Sequence, residues 1–244
     1  MRITVSASPE ELGREASCHV ADKLRMTLKD KGEARLLLST GASQFFTLAS
    51  LLDQGIEWER VEIFHLDEYI GLPQEHPASF RKYLNDRFVG KIRCRKFHGI
   101  DTERPAAELI PYLTREVRKG IIDVGLIGIG ENGHIAFNDP PADFDTRDAF
   151  KIVELDMRCR QQQVREGWFK SMDDVPSRAV SMTVWQIMQC SIIISAVPFK
   201  VKAEAVARTL SNPLTNMVPA TMLKQHSDFN LFLDRDSASG LISF

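Results

Sequence analysis

Short apolar runs alternate with amphipathic helical stretches along almost the whole chain, and no other feature narrows the choice of fold as much. The runs are Met1 to Ser6, Arg35 to Leu38, Val61 to Leu66, Val124 to Ile129, Phe150 to Glu154, Ala179 to Thr183, Ser191 to Val197 and Phe229 to Asp234. Several are apolar at nearly every position, the pattern of strands covered on both faces. Between them lie helical patterns. The first has Ser8 as cap, Pro9 at its first position and Glu10 and Glu11 in its first turn, and it runs to Lys31. Others span 45–52, 78–88, 104–119, 156–168 and 203–210, with shorter pieces at 184–189 and 220–224. The alternation predicts an α/β fold: a doubly wound, mostly parallel, Rossmann-like sheet with helices on both faces. No composition shift, internal repeat or low-complexity tract divides the chain, so a single domain over 1–244 is expected.

The bulk numbers exclude several classes of function. A net charge of -2 gives no nucleic-acid footprint. No apolar run approaches the length of a membrane span. The N-terminal residues turn acidic too early for a signal peptide. Cys18, Cys94, Cys159 and Cys190 are far apart and form no CxxC pair, which reads as a reduced, cytoplasmic protein with unpaired thiols and no structural zinc. His19, His65, His76, His98 and His226 show no ligand spacing with acids or cysteines, so no metal is expected.

In open α/β sheets ligands bind at the carboxyl ends of the strands, and this chain places polar residues there repeatedly. Val124 to Ile129 runs into Gly130-Glu131-Asn132-Gly133, then His134, then Asn138-Asp139-Pro140-Pro141. An imidazole, a carboxylate and a carboxamide thus follow one buried strand, the floor of a candidate active site. Arg35 to Leu38 is followed by Ser39-Thr40-Gly41-Ala42-Ser43 and a helix. Strand, small hydroxyl-rich turn and helix suit a phosphate, because free N–H groups and the helix dipole point at the anion; an ordinary capped βα turn reads the same way. Val61 to Leu66 ends in Asp67-Glu68-Tyr69, where one acid could face the cleft while the other caps or pairs. Lys200 and Lys202 stand at a helix start, against its dipole, a placement that an anion would explain. The stretch from Asp156 to Trp168, with Arg158, Arg160, Gln161, Gln162, Gln163 and Arg165, is either a solvated helix face or a lid carrying cations to an anionic ligand.

Three of these segments together resemble the glucosamine-6-phosphate deaminase (isomerase) family: LDEYIGLPQEHPASF at 66–80, GIGENGHIAFNDP at 128–140 and STGAS at 39–43. The order of strands fits as well, over nearly the whole chain. The wider superfamily includes the 6-phosphogluconolactonases. In that branch the Gly-His pair usually leads toward Ser-Leu-Phe-Pro, and the upstream acids sit in a Gly-Asp-Glu-Arg context. Here His134-Ile135-Ala136-Phe137-Asn138 and Leu66-Asp67-Glu68-Tyr69 favour the deaminase branch.

The resemblance implies conversion of glucosamine 6-phosphate and water to fructose 6-phosphate and ammonium, without a cofactor. By it, Asp67 is the base that moves a proton between C2 and C1, and His134 assists ring opening. Asn132 and Asp139 stand where the family orients and polarises this histidine. Ser39, Thr40, Gly41, Ala42 and Ser43 match the phosphate loop, with Ala42 where a second glycine is common. Lys202 matches the phosphate lysine, with Lys200 as the near alternative. Arg165 is preferred over Arg160 for the phosphate arginine, and Glu68 and Gly133 complete the implied binding set. Asn132, where many relatives carry an acid, can orient an imidazolium but not neutralise it. Asp139, where glutamate is usual, is one methylene shorter, so its carboxylate is expected to sit back from His134 unless the backbone shifts or a water intervenes. The partner expected is a small amino-sugar phosphate, with a homo-oligomer also allowed. A lactonase and a silent sugar-phosphate sensor are the competing readings.

Overall fold

In a computed structural model, which describes residues 1–241 apart from the side chain of Arg158, the predicted alternation forms a seven-stranded parallel sheet. Its strands are β1 (Arg2–Ser6), β2 (Ala34–Leu38), β3 (Val61–His65), β5 (Lys96–His98), β6 (Val124–Leu126), β9 (Ile192–Val197) and β10 (Phe229–Asp234). They lie in the order β1-β10-β9-β6-β2-β3-β5, all neighbours parallel.

The central strands β2, β3, β6, β9 and β10 are largely buried and apolar because they feed two cores, whereas the edge strands β1 and β5 are partly exposed. Leu37, Phe64 and Ile193 point into one, shared with Leu109, Leu113 and Val117 of α4 (Ala106–Val117) and Val206 of α7 (Ala203–Ser211). Their neighbours Leu36, Leu38, Ile63, Ile192 and Ile194 point into the other. That second core is closed by α1 (Pro9–Lys31), whose Leu12, Ala16, Val20, Leu24 and Leu28 form one buried stripe. The Ser8 side chain accepts from the amide of Glu11, and Gly32 ends α1 at φ 80°. α2 (Phe45–Leu52) crosses α1 at Gly13, where a Cβ would stand 2.5 Å from that of Phe46.

Chain order reverses between β2 and β6. From β2 the chain builds outward through β3 and β5; from β6 it builds the other way through β9 and β10. The crevice at such a switch point is where open α/β sheets bind ligands.

The sequence reading did not anticipate a second sheet, antiparallel and three-stranded, in the order β4-β8-β7. It comprises β4 (Asp67–Tyr69), β7 (Phe150–Glu154) and β8 (Arg178–Met182). Only Leu66 separates β3 from β4, so one apolar run serves two sheets with no turn signal between them. The run from Val124 to Ile129 is strand only to Leu126; Ile127 still donates to Ile194, and the chain then leaves the sheet to build the Gly-rich turn. α3 (Phe80–Arg87) and α5 (Met157–Arg165) flank the small sheet. The piece at 220–224 is a 3-10 helix, Pro219–Gln225.

Candidate active site

Four neighbouring strand tips, those of β9, β6, β2 and β3, surround a cavity of about 300 Å³. Asp67 and His134 both line it, as do Ser39, Thr40, Gly41, Ala42, Ser43, Arg165 and Lys202.

The turn after β2 is held from three directions. The Ser39 amide donates to Leu126 of β6, and the Gln44 side chain to Ala196 of β9. The Tyr83 hydroxyl donates to the carbonyl of Gly41, whose φ of 98° suits glycine. The Ser39 hydroxyl is buried and has no partner among the described residues, leaving a donor at the cavity wall.

The turn after β6 positions the histidine. Gly130 donates to the carbonyl of His134 at 2.9 Å, and Gly133, at φ 87°, donates back to Gly130. Gly133 does not line the cavity; a Cβ on it would meet Val218 at 2.8 Å. Asn138 ties the far end of the turn to β8, donating to Met182 at 2.8 Å. His134 Nδ1 lies 2.9 Å from Asp139 Oδ1. Asn132 braces the pair: its amide donates to Asp139 at 3.0 Å, and its carbonyl oxygen accepts from the His134 backbone at 3.0 Å. The shorter aspartate therefore reaches the imidazole directly, without a water, because the turn carries residue 139 close to the ring.

Asp67 is 5% exposed and its pKa is pushed up to about 8, chiefly by burial and then by the carboxylates of Glu68 and Asp139. Burial also raises Asp139, but its bonds to His134, Asn132 and the Asp156 amide outweigh that and hold it below the usual carboxylate range. Lys202 is almost fully buried, which lowers its pKa against the pull of Glu166 and Glu131.

The adjacent acids part company. Glu68 points away from the cavity and is wholly buried at the start of α3, accepting from Ser79 and from the amides of Phe80 and Arg81. Its implied place in substrate binding is corrected accordingly: the carboxylate is consumed in capping a helix. Lys200 is exposed and bonds to Ser239 at 2.6 Å, outside the cavity. Arg160 is spent on the carbonyls of Met172 and Val175. Arg165 reaches the cavity and pairs there with Glu131.

Sequence reasoning missed Glu131, taken as a turn residue. It left Gln162 and Gln163 undecided between a solvated face and a lid; they are 7% and 6% exposed and line the cavity beside Trp168. A helix with apolar Cys159 and Val164 beside two buried amides faces inward, and the density of charge around them hid this. Among the described residues, one group has metal-binding proximity: His134, Asp139 and Cys159.

Comparison with known proteins gives a consistent result. Residues 7–232 match the family described as glucosamine-6-phosphate isomerases/6-phosphogluconolactonase. The chain is 33% identical to glucosamine-6-phosphate deaminase 1 of Bacillus subtilis, covering 98% of this chain and 99% of that one. It is 32% identical to the deaminase of Thermoanaerobacter sp., covering 98% and 94%. A solved monomeric glucosamine-6-phosphate deaminase superposes with a TM-score of 0.86 at 32% identity, covering 98% of this chain and 100% of the other. The 6-phosphogluconolactonase of Trypanosoma brucei shares the fold, at TM-score 0.82 and 17% identity over 99% and 98%.

Proposed function

The chain belongs to the family of glucosamine-6-phosphate isomerases and 6-phosphogluconolactonases, and from that premise we propose that it is a glucosamine-6-phosphate deaminase acting as one domain in the cytoplasm. The observation that carries the reading is the convergence of Asp67, His134, the 39–43 turn and Lys202 on one cavity.

In this mechanism the 39–43 amides and hydroxyls, Lys202 and Arg165 hold the phosphate; charge-assisted contacts to a dianion are the strong ones available. Arg165 leaves Glu131 to reach the ligand. His134, fixed by Asp139 and Asn132, exchanges a proton with the ring oxygen and opens the sugar to its aldehyde. The Asp67 carboxylate removes the proton from C2 and returns it to C1, while the aldehyde oxygen gains a proton and the nitrogen gives one up, leaving a hydroxyl at C1 and an imine at C2. Water adds to that carbon, the C–N bond breaks, and ammonium and fructose 6-phosphate leave.

Before substrate binds, Asp67 keeps its proton at neutral pH, since its pKa is about 8. A cationic amine bound nearby would favour the carboxylate. An amino sugar thus helps ionise its own base, whereas a lactone would not.

The test is to supply glucosamine 6-phosphate and 6-phosphogluconolactone separately and measure ammonia and acid. Ammonia with fructose 6-phosphate supports the reading; acid release without ammonia makes the protein a lactonase. Ligand-induced thermal stabilisation with neither product makes it a sensor.

A further inference from the structure

His134, Asp139 and Cys159 offer a nitrogen, a carboxylate oxygen and a sulfur that all lie within 4.8 Å of one another. The proposed chemistry uses the first two and leaves the thiol without a part. Cys159 is 1% exposed and belongs to α5, whereas His134 and Asp139 belong to the turn after β6. Imidazole, carboxylate and thiolate are all zinc donors, at about 2.0–2.3 Å, which places donors in a tetrahedral site roughly 3.3–3.8 Å apart. His134 Nδ1 and Asp139 Oδ1, now 2.9 Å apart, must separate by a few tenths of an ångström to admit an ion between them.

A second cavity, of about 330 Å³, is lined by Asp139 but not by His134 or Asp67. Its wall carries Asp139, Asp143, Glu154 and Asp156 against Lys151, which is already paired with Asp143 at 3.0 Å. A cation can therefore approach Asp139 through an acidic opening without crossing the sugar cavity.

We propose that His134, Asp139 and Cys159 form a site for a thiophilic divalent cation of the zinc class, with water as fourth ligand, and that its occupation switches the enzyme off. On binding, the thiol gives its proton to solvent, and the imidazole keeps one proton, on Nε2, because Nδ1 has become a ligand. Asp139 exchanges its contact with the histidine for the metal. The ring is then no longer free to trade a proton with the sugar. The ion also fastens α5, which carries Gln162, Gln163 and Arg165, to the cavity floor. The metal site stands without the functional reading; the loss of turnover rests on it.

The experiment is calorimetric titration of the purified protein with zinc chloride in buffers of different ionisation enthalpy, alongside cobalt(II) absorption spectra. Expected are one ion per chain, release of about one proton, and a sulfur-to-cobalt charge-transfer band. Zinc should lower kcat while leaving the KM for the sugar phosphate largely unchanged. C159S and C159A should bind zinc more than about 100-fold more weakly, beyond the loss of an outer-shell partner, and keep wild-type turnover in chelator-treated buffer. Equal zinc affinity in these variants, or no charge-transfer band in the unsubstituted protein, overturns the site. Stoichiometric zinc with undiminished turnover overturns the switch. The cobalt spectrum needs neither a variant nor a substrate, so it distinguishes failure of the site from failure of the deaminase reading.

Discussion

The imidazole of His134 occupies the space that a side chain on Gly130 would need. A Cβ there would stand 2.2 Å from Nε2 and 2.4 Å from Cδ2 and Cε1. The ring lies flat on the backbone of its own turn, and Asp139 fixes the opposite edge.

Gly130→Ala should therefore displace the ring and break the Nδ1–Asp139 contact while leaving the sheet intact. The expected result is a folded protein with kcat reduced about 100-fold, the lower range for a lost general acid–base group, and a nearly unchanged KM. Wild-type turnover in Gly130→Ala would show that the ring's position does not matter to the chemistry.

Asp67→Asn should abolish turnover and still bind the sugar phosphate. It also carries a stability signature. Folding raises the Asp67 pKa to about 8, so the folded state favours the protonated acid. That contribution is complete below the ordinary aspartate value of about 3.9 and is lost as pH climbs through 8. Asparagine never ionises, so Asp67→Asn should gain stability over the wild type between acid and alkaline pH. Thermal melts at pH 5 and pH 9, values chosen roughly to bracket the transition, would show this; a constant difference would mean the carboxyl is not buried in solution. In the unsubstituted enzyme kcat/KM should rise with pH toward 8, as the base ionises.

The two lysines near β9 separate grip from surface. Lys202→Ala should weaken binding of the sugar phosphate by about 1.5–3 kcal/mol, the worth of a hydrogen bond to a charged group. Lys200→Ala should leave it unchanged, because that side chain is committed to Ser239 outside the cavity. Equilibrium binding of the substrate to Asp67→Asn, with each lysine change added, measures both effects without turnover. Equal losses would place the phosphate elsewhere.

Glu68→Gln tests the correction to its role. The buried carboxylate accepts from Ser79, Phe80 and Arg81, and Arg81 also lies 3.7 Å from it as an ion pair. Replacing it should cost about 1–3 kcal/mol of stability in urea unfolding, while KM per folded molecule holds. A raised KM at unchanged stability would return Glu68 to the substrate.

The main sheet was legible because its central strands are largely buried and apolar on both faces and end in polar turns. Leu36, Leu37 and Leu38 admit few other readings. The small sheet was not, since its pairing joins Asp67 to Ser181 across distant sequence and β4 has only three residues. That His134 and the turn from Ser39 to Ser43 follow buried strands at one end of the sheet, where the cavity lies, could be read because adjacent positions do the work. The part played by Glu68 could not, because only the folded chain brings Ser79 and Arg81 to it. The same holds for Cys159, whose neighbours at 134 and 139 are distant in sequence and meet it only through the path of α5.

The register of β2 against β3 pairs Leu38 with His65, so Ser39 and Asp67 stand one and two residues beyond a matched pair. Hydrogen-bonded strands keep a fixed spacing of about 4.8 Å. In the proposed mode of binding the backbone thus acts as a ruler between the phosphate end of the sugar and the carbon that reacts. Side-chain changes can retune grip, acidity or lid, but a sugar phosphate one carbon shorter would present the wrong atom to Asp67, whatever surrounds it.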